Sequence, residues 1–317
     1  MPTALSYPGL RCVLEFLDPM KRIHIVSRNH SLRTIEKTIP LNIKDFGISR
    51  NRLKLNDCVI KNDTNNELQF KDRREKNFRR TWSSNLNLEE TMKKLLDSYL
   101  GFRLKIYVNC FLFSTKIPKF LPQNFILQAN ELECCSDYIE QFLPIIDPSS
   151  FPLKKLHIAI SEPDYLNHPV LTSSKELIVS INGCDGVTQL INQINTNKRV
   201  TFETYCFYTK DPVILIRNWM KNGKEIGTSF KFHDYEDNGV MHLLLKELKE
   251  FKTESDHHSR VTPILRVPIN SFSEIHVSKD SEDYIVMEVV PTTSKRDNDA
   301  TEDPCSSDRA RQSRTPF

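Results

Sequence analysis

The apolar positions of the chain change their period partway along. Leu10, Val13, Leu14 and Leu17 recur at i, i+3, i+4 and i+7, which predicts a helix with one apolar stripe, Ser6 as its cap and Pro8 in its first turn. Asp18-Pro19 is a second helix start, with Asp as N-cap and Pro at the first helical position. Met20, Ile23 and Val26 continue it, a short third helix from Ser31 carries Leu32 and Ile35, and Pro40 stops it. Beyond Pro40 the period falls to two. Leu41/Ile43, Leu53/Leu55, Cys58/Ile60 and Leu68/Phe70 alternate between polar turns at 49–51 and 62–66, and predict a three-stranded meander. The polar, charge-dense run KDRREKNFRRTWSSNL (71–86) reads as a loop or linker.

From residue 87 helix and strand signals alternate. Asn87 caps a helix with Leu88, Met92, Leu95, Leu96 and Tyr99 on its inner side, and Gly101 ends it. Leu104, Ile106 and Val108 form a strand; later strands centre on Ile158, Val179, Phe202 and Phe230, at separations of 21, 23 and 28 residues. Between them a helix runs from Gly186 through Val187, Leu190, Ile191 and Ile194, and another from Asp211-Pro212 to Gly223. One strand plus one helix every 20–29 residues is the period of leucine-rich-repeat solenoids. Leu153-x-x-Leu156-x-Ile158 is a half-motif of that kind, continued in degenerate form by Leu177-x-Val179-x-x-Asn182. An ordinary α/β sheet with irregular connections fits the same residues. Either way the strands centred on Ile106, Ile158, Val179, Phe202 and Phe230 are expected side by side and mostly parallel, because helical crossovers separate them. A helix with Val240, Leu244, Leu248 and Phe251, and a hairpin pairing Ile275/Val277 with Ile285/Met287/Val289, close the domain. The organisation expected is therefore α/β: helices over 1–38, a meander over 39–70, a basic loop or linker over 71–86, a leucine-rich-repeat-like strand/helix domain over 87–290, and a disordered tail over 291–317.

Charge narrows the function classes. With 44 basic and 41 acidic residues in 317, the net charge of +3 lacks the concentrated positive field of a dedicated nucleic-acid or membrane-surface protein. No apolar run reaches a membrane span, and Met1–Pro8 lacks the pattern of a secretory leader, so a cytoplasmic or nuclear location is expected. The 8 cysteines form no C-x-x-C pair and read as small reduced hydrophobes, and the N-x-S/T triplets at Asn29 and Asn62 as unglycosylated.

Catalytic signatures are missing: no G-x-S-x-G, H-E-x-x-H, Walker loop or G-x-G-x-x-G occurs, so no enzyme activity, cofactor or metal is expected. Asn222-Gly223-Lys224 follows a helix C-terminus, where the dipole repels a phosphate. His257 and His258 beside Asp256 are adjacent in a loop and do not converge as metal ligands. Lys71, Arg73, Arg74, Lys76, Arg79 and Arg80 with Phe78 and Trp82 form the one stretch suited to single-stranded nucleic acid, diluted by Asp72 and Glu75. A solvated loop or a nuclear-import signal is the reading this stretch favours.

Pro8, Leu10, Val13-Leu14, Leu17, the Asp18-Pro19 turn, Ile23 and Val26-Ser27-Arg28 fall where an F-box has its leucine–proline start, paired apolar residues and second helix. The chain to about residue 290 resembles the nematode F-box family of the C type, which carries an F-box-associated domain of unknown function. LSYPGLRCVLEFLDPMKRIHIVSR, IPLNIKDFGI and LIRNWMKNGKEIGTSFKF carry that resemblance, with Tyr7 standing where the pattern has Leu. The resemblance implies a substrate-recognition subunit of a cullin–RING ubiquitin ligase. Pro8, Leu10, Val13, Leu14, Leu17 and Ile23 would meet a Skp-type adaptor, and the C-terminal domain would select a protein substrate. A helical cap on the sheet domain, or a free-standing interaction module, are the alternatives the same helices allow.

Overall fold

Pro40 marks the passage from helices to sheet. The computed structural model describes residues 7–62, 67–71, 77–81, 86–101, 103, 105–122, 124–161, 163–181, 194, 196–203, 211–233, 239–253, 264–281 and 283–292. Before Pro40 lie α1 (Tyr7–Phe16), α2 (Pro19–Ser27) and α3 (His30–Lys37). The Asp18 carboxylate accepts from the Met20 and Lys21 amides, and the Asn29 side chain accepts from Leu32 N–H, so both later helices start on side-chain caps. Leu14, Val26 and Ile39 form a small core of their own, ringed by Leu10, Leu17, Leu32 and Ile35.

All strands among the described residues join one sheet of 14, in the order β12-β13-β14-β11-β10-β9-β8-β7-β6-β1-β2-β3-β4-β5. The middle is parallel: β1 (Leu41–Ser49), β6 (Ile106–Phe113), β7 (Gln128–Cys135), β8 (Lys155–Ile160), β9 (Glu176–Ile181), β10 (Arg199–Glu203) and β11 (Ser229–His233). At one end β2 (Arg52–Leu55), β3 (Cys58–Asn62), β4 (Glu67–Lys71) and β5 (Asn77–Thr81) extend it as an antiparallel meander. At the other, β14 (Tyr284–Pro291), β13 (Ser273–Lys279) and β12 (Leu265–Pro268) do the same.

From β6 to β11 spatial order follows chain order, with no reversal. Right-handed crossovers then fall on a single face of the sheet. That face packs under α4 (Leu88–Tyr99), α5 (Ile139–Phe142), α6 (Pro169–Ser173), α7 (Asp211–Asn222) and α8 (Val240–Glu247). At this contact Phe46, Phe111, Phe202 and Phe230 of the sheet and Phe142 and Trp219 of the helices are essentially inaccessible to solvent. Phe46 stacks on Phe111 at 5.3 Å between centroids, and Trp219 meets Phe230 edge-on at 5.0 Å.

Buried positions along the central strands are not spaced strictly by two. Ile43–Phe46–Ile48, Val108–Phe111–Phe113 and Ala129–Leu132–Cys134 each run x, x+3, x+5. The register skips the level of Lys44, Asn109 and Asn130, where the strands change phase. Asn130 Nδ2 donates to Asn109 Oδ1 and Asn109 Nδ2 to Glu131 Oε1, both at 3.2 Å, across this break.

Several expectations are corrected by this arrangement. The meander has four strands after β1, not three in all, and residues 77–81 of the expected loop or linker pair with β4 as a strand. β1 pairs with β6, so the meander and the 87–290 region share one sheet. β7 lies between the strands centred on Ile106 and Ile158, which are therefore not direct neighbours, whereas those centred on Ile158, Val179, Phe202 and Phe230 are adjacent and parallel as expected. The helix expected at 186–194 and the tail at 293–317 lie outside the described residues, apart from Ile194, which is buried.

Candidate functional site

Two surfaces carry candidate functional groups: the helical unit at the start of the chain and the face of the sheet opposite α4–α8, open among the described residues. On α1 the apolar stripe divides. Leu14 is 2% exposed and Ile23, on α2, 5%, so both are spent on the interior. Leu10 and Leu17 are half-buried against Leu14, whereas Pro8 is exposed and Val13 is 48% exposed. Phe16, which the stripe left out, is 84% exposed. It lies three residues from Val13 on the same side of the helix. A large aromatic off the apolar stripe was the available signal for it. Cys12 is exposed beside them.

This unit is clamped to the sheet by a buried charge cluster. Glu36 Oε1 lies 2.6 Å from Arg22 Nε and 2.6 Å from Arg103 Nη1, with all three side chains at most 3% exposed. Arg22 also donates to the carbonyls of Pro40, Glu36 and Ile39 at 2.8–2.9 Å, one in the last turn of α3 and two in the segment that leaves it. Burial lowers the Arg22 pKa from its ordinary value, and Glu36 opposes that shift. Arg103 donates to Tyr99 O at the end of α4, so one carboxylate ties the N-terminal helices to the first helix of the sheet domain. No sequence pattern announced it.

The second surface is the open face. In register across it run Lys54, Gly47, Leu112, Glu133 and His157, one from each of β2, β1, β6, β7 and β8. Over these residues sits a groove of about 450 Å³, also lined by Ser49, Arg52, Ser114 and Cys135. Beneath Glu133 and beside Asp45 and Glu131, the Cys110 thiol is pushed up to about 11, first by burial and then by these three carboxylates.

Next to the groove His157 Nε2 contacts Ser180 Oγ at 2.9 Å and Glu203 Oε2 at 3.2 Å. A nucleophilic relay needs the carboxylate on Nδ1 and the hydroxyl on Nε2. Here both converge on one nitrogen, and the cluster is a surface hydrogen-bond network. Among the described residues no group of three or more His, Cys, Asp or Glu is placed to hold a metal ion. No helix among them is long and apolar enough to cross a membrane. The basic stretch at 71–82 is described only in part: β4 ends at Lys71 and β5 spans Asn77–Thr81. His257 and His258 lie outside the described residues.

Residues 87–234 match the family model described as a domain of unknown function, DUF3557. The match runs from α4 to the end of β11, the parallel run without β1, and leaves the N-terminal helices and both antiparallel ends outside it. No curated protein and no solved structure matches the chain.

Proposed function

We propose that this protein is a non-catalytic recognition subunit of a cullin–RING ubiquitin ligase. Its N-terminal helices dock a Skp-type adaptor, as the F-box resemblance implies, and its leucine-rich-repeat-like sheet presents an open face to a protein substrate. The observation that carries the docking half is the exposed pair Val13 and Phe16 on a helix whose Leu14 is buried and Leu10 half-buried. Exposed apolar residues on a well-packed unit mark interaction sites when they cluster, and a phenylalanine is the kind of anchor that dominates such contacts. The open face supports the recognition half, since a one-sided strand/helix array leaves a continuous surface for a partner.

A second reading has its own support. The Arg22–Glu36–Arg103 cluster fixes the helices to the sheet, as a structural cap would require. In that case the protein is a free-standing interaction module with no ligase link. Co-purification of the full chain with a Skp-type adaptor from its own organism separates the two: a stable complex supports docking, and its absence leaves the cap.

A further inference from the structure

The two ends of the sheet are finished differently. At β12 the outer edge is closed by the chain itself: Lys252 pairs antiparallel with Leu265, and Thr253 N–H donates to Ile264 O at 3.2 Å. Pro268 then ends that strand with a residue that has no N–H to offer. At the opposite end β5 pairs with β4 and, among the described residues, with no other strand. In an antiparallel ladder every second residue turns both its N–H and its C=O away from the neighbour. Two or three residues of β5 therefore present donors and acceptors along this edge, the arrangement to which a further strand adds.

The sequence of β5, NFRRT, decides what can add. It holds two adjacent arginines and no carboxylate. A second copy of β5 would bring Arg79 and Arg80 opposite or diagonal to their own counterparts, and like charges across a strand pair oppose pairing. An acidic strand meets the same positions with opposite charge. We propose that the β5 edge binds an extended, acidic segment of a protein partner, added antiparallel as the next strand of the sheet. The five residues of β5 take a partner strand of similar length, roughly 17 Å. Nucleic acid fits less well. A phosphate backbone accepts hydrogen bonds and donates none, so it would leave the outward carbonyls of β5 unmet. Asp72 and Glu75 in the adjoining segment oppose it as well. The edge belongs neither to α1 nor to the open face, so its test is separate from that of the function proposed above.

The probe is a synthetic peptide of about ten residues, alternating Thr and Val with two adjacent glutamates at its centre. Its binding to the full chain is followed by fluorescence anisotropy at low ionic strength, and saturable binding is expected. Two N-methylated forms of the probe keep its charge and differ only in which alternate amides are blocked. One form should lose binding about tenfold or more while the other binds like the parent, because a single set of amides faces β5. Arg79→Glu combined with Arg80→Glu should weaken the parent probe about tenfold or more, and that variant should bind a probe with lysines in place of the glutamates. If the variant unfolds, the N-methylated pair still decides, since it leaves the protein unchanged. Absence of binding, equal effects of the two N-methylated forms, or tighter binding of single-stranded RNA would each overturn the proposal. So would dimerisation of the wild type that the arginine exchange abolishes, which would make a second copy the occupant. None of these results bears on adaptor docking.

Discussion

Arg22 and Glu36 meet at 2.6 Å in the interior between the N-terminal helices and the sheet, and Arg103 reaches the same carboxylate oxygen from the far side. Removing that carboxylate leaves two guanidinium groups buried without their counter-ion, whereas the backbone carbonyls around Arg22 satisfy only its hydrogen bonds. Glu36→Ala is therefore expected to cost about 3 kcal/mol or more. Urea unfolding followed by far-ultraviolet circular dichroism checks it, and a change under about 1 kcal/mol would mean that water reaches the cluster.

Gly101 and Gly223 both terminate helices, for different reasons. A Cβ on Gly101 would stand 2.4 Å from the Asp97 carbonyl oxygen, a backbone clash that cannot be relieved by rotating a side chain. Gly223 has φ of +76° with nothing within 4 Å of its would-be Cβ, so its cost is conformational only. Gly101→Ala is expected to cost about 2–3 kcal/mol and Gly223→Ala about 1 kcal/mol. Equal costs in chemical denaturation would contradict this assignment.

Cys110 supplies a pH dependence. Its folded pKa, about 11, lies above the ordinary 9.0, so between those values the folded chain holds a proton that the unfolded chain has lost. The stabilisation is complete below pH 9 and is lost as pH rises through 11. Thiolate absorbance, as the difference between wild type and Cys110→Ala, should titrate near 11, and Glu133→Gln should move that midpoint down. A wild-type midpoint at the ordinary value would show the thiol to be solvated.

Most of the fold could be read from the pattern where one face is apolar and capped. The Asp18 and Asn87 caps and the strands around Val179, Phe202 and Phe230 follow from residues that admit little else, whereas the Asn29 cap starts the third helix one residue earlier than the expected Ser31. β7 escaped because its phase breaks: Ala129 and Leu132 are three apart, and the remainder of QANELECC is mostly polar. β5 escaped because NFRRT carries more charge than alternation, and its strand state comes from pairing with β4. Of the candidate docking residues, periodicity placed Leu14 on the inner stripe, but it could not say that Leu14 and Ile23 would be consumed internally. That depends on α2 and α3 folding back over α1. The groove was illegible for the same reason, since Lys54 and Glu133 are 79 residues apart and share a row only through two intervening strands.

Cys12 offers a footprint for docking. It is exposed on α1 next to Val13 and four residues from Phe16. Alkylation of the free chain should modify it ahead of the buried Cys134, and an excess of Skp-type adaptor should slow its modification severalfold. Unchanged labelling in an assembled complex would place the adaptor elsewhere.

The central claim, adaptor docking through the exposed side of α1, is tested most directly by the affinity of a Skp-type adaptor for three forms of the full chain: wild type, Phe16→Asp and Leu14→Ala. Phe16 contributes little to the fold at 84% exposure, so Phe16→Asp should unfold at the wild-type urea midpoint yet lose about 2 kcal/mol or more of binding, roughly thirtyfold. Leu14, at 2% exposure, should instead cost about 2–4 kcal/mol of stability and weaken binding only as far as the helices come apart. Wild type that binds no such adaptor, or Phe16→Asp that binds as well as wild type, would contradict the account.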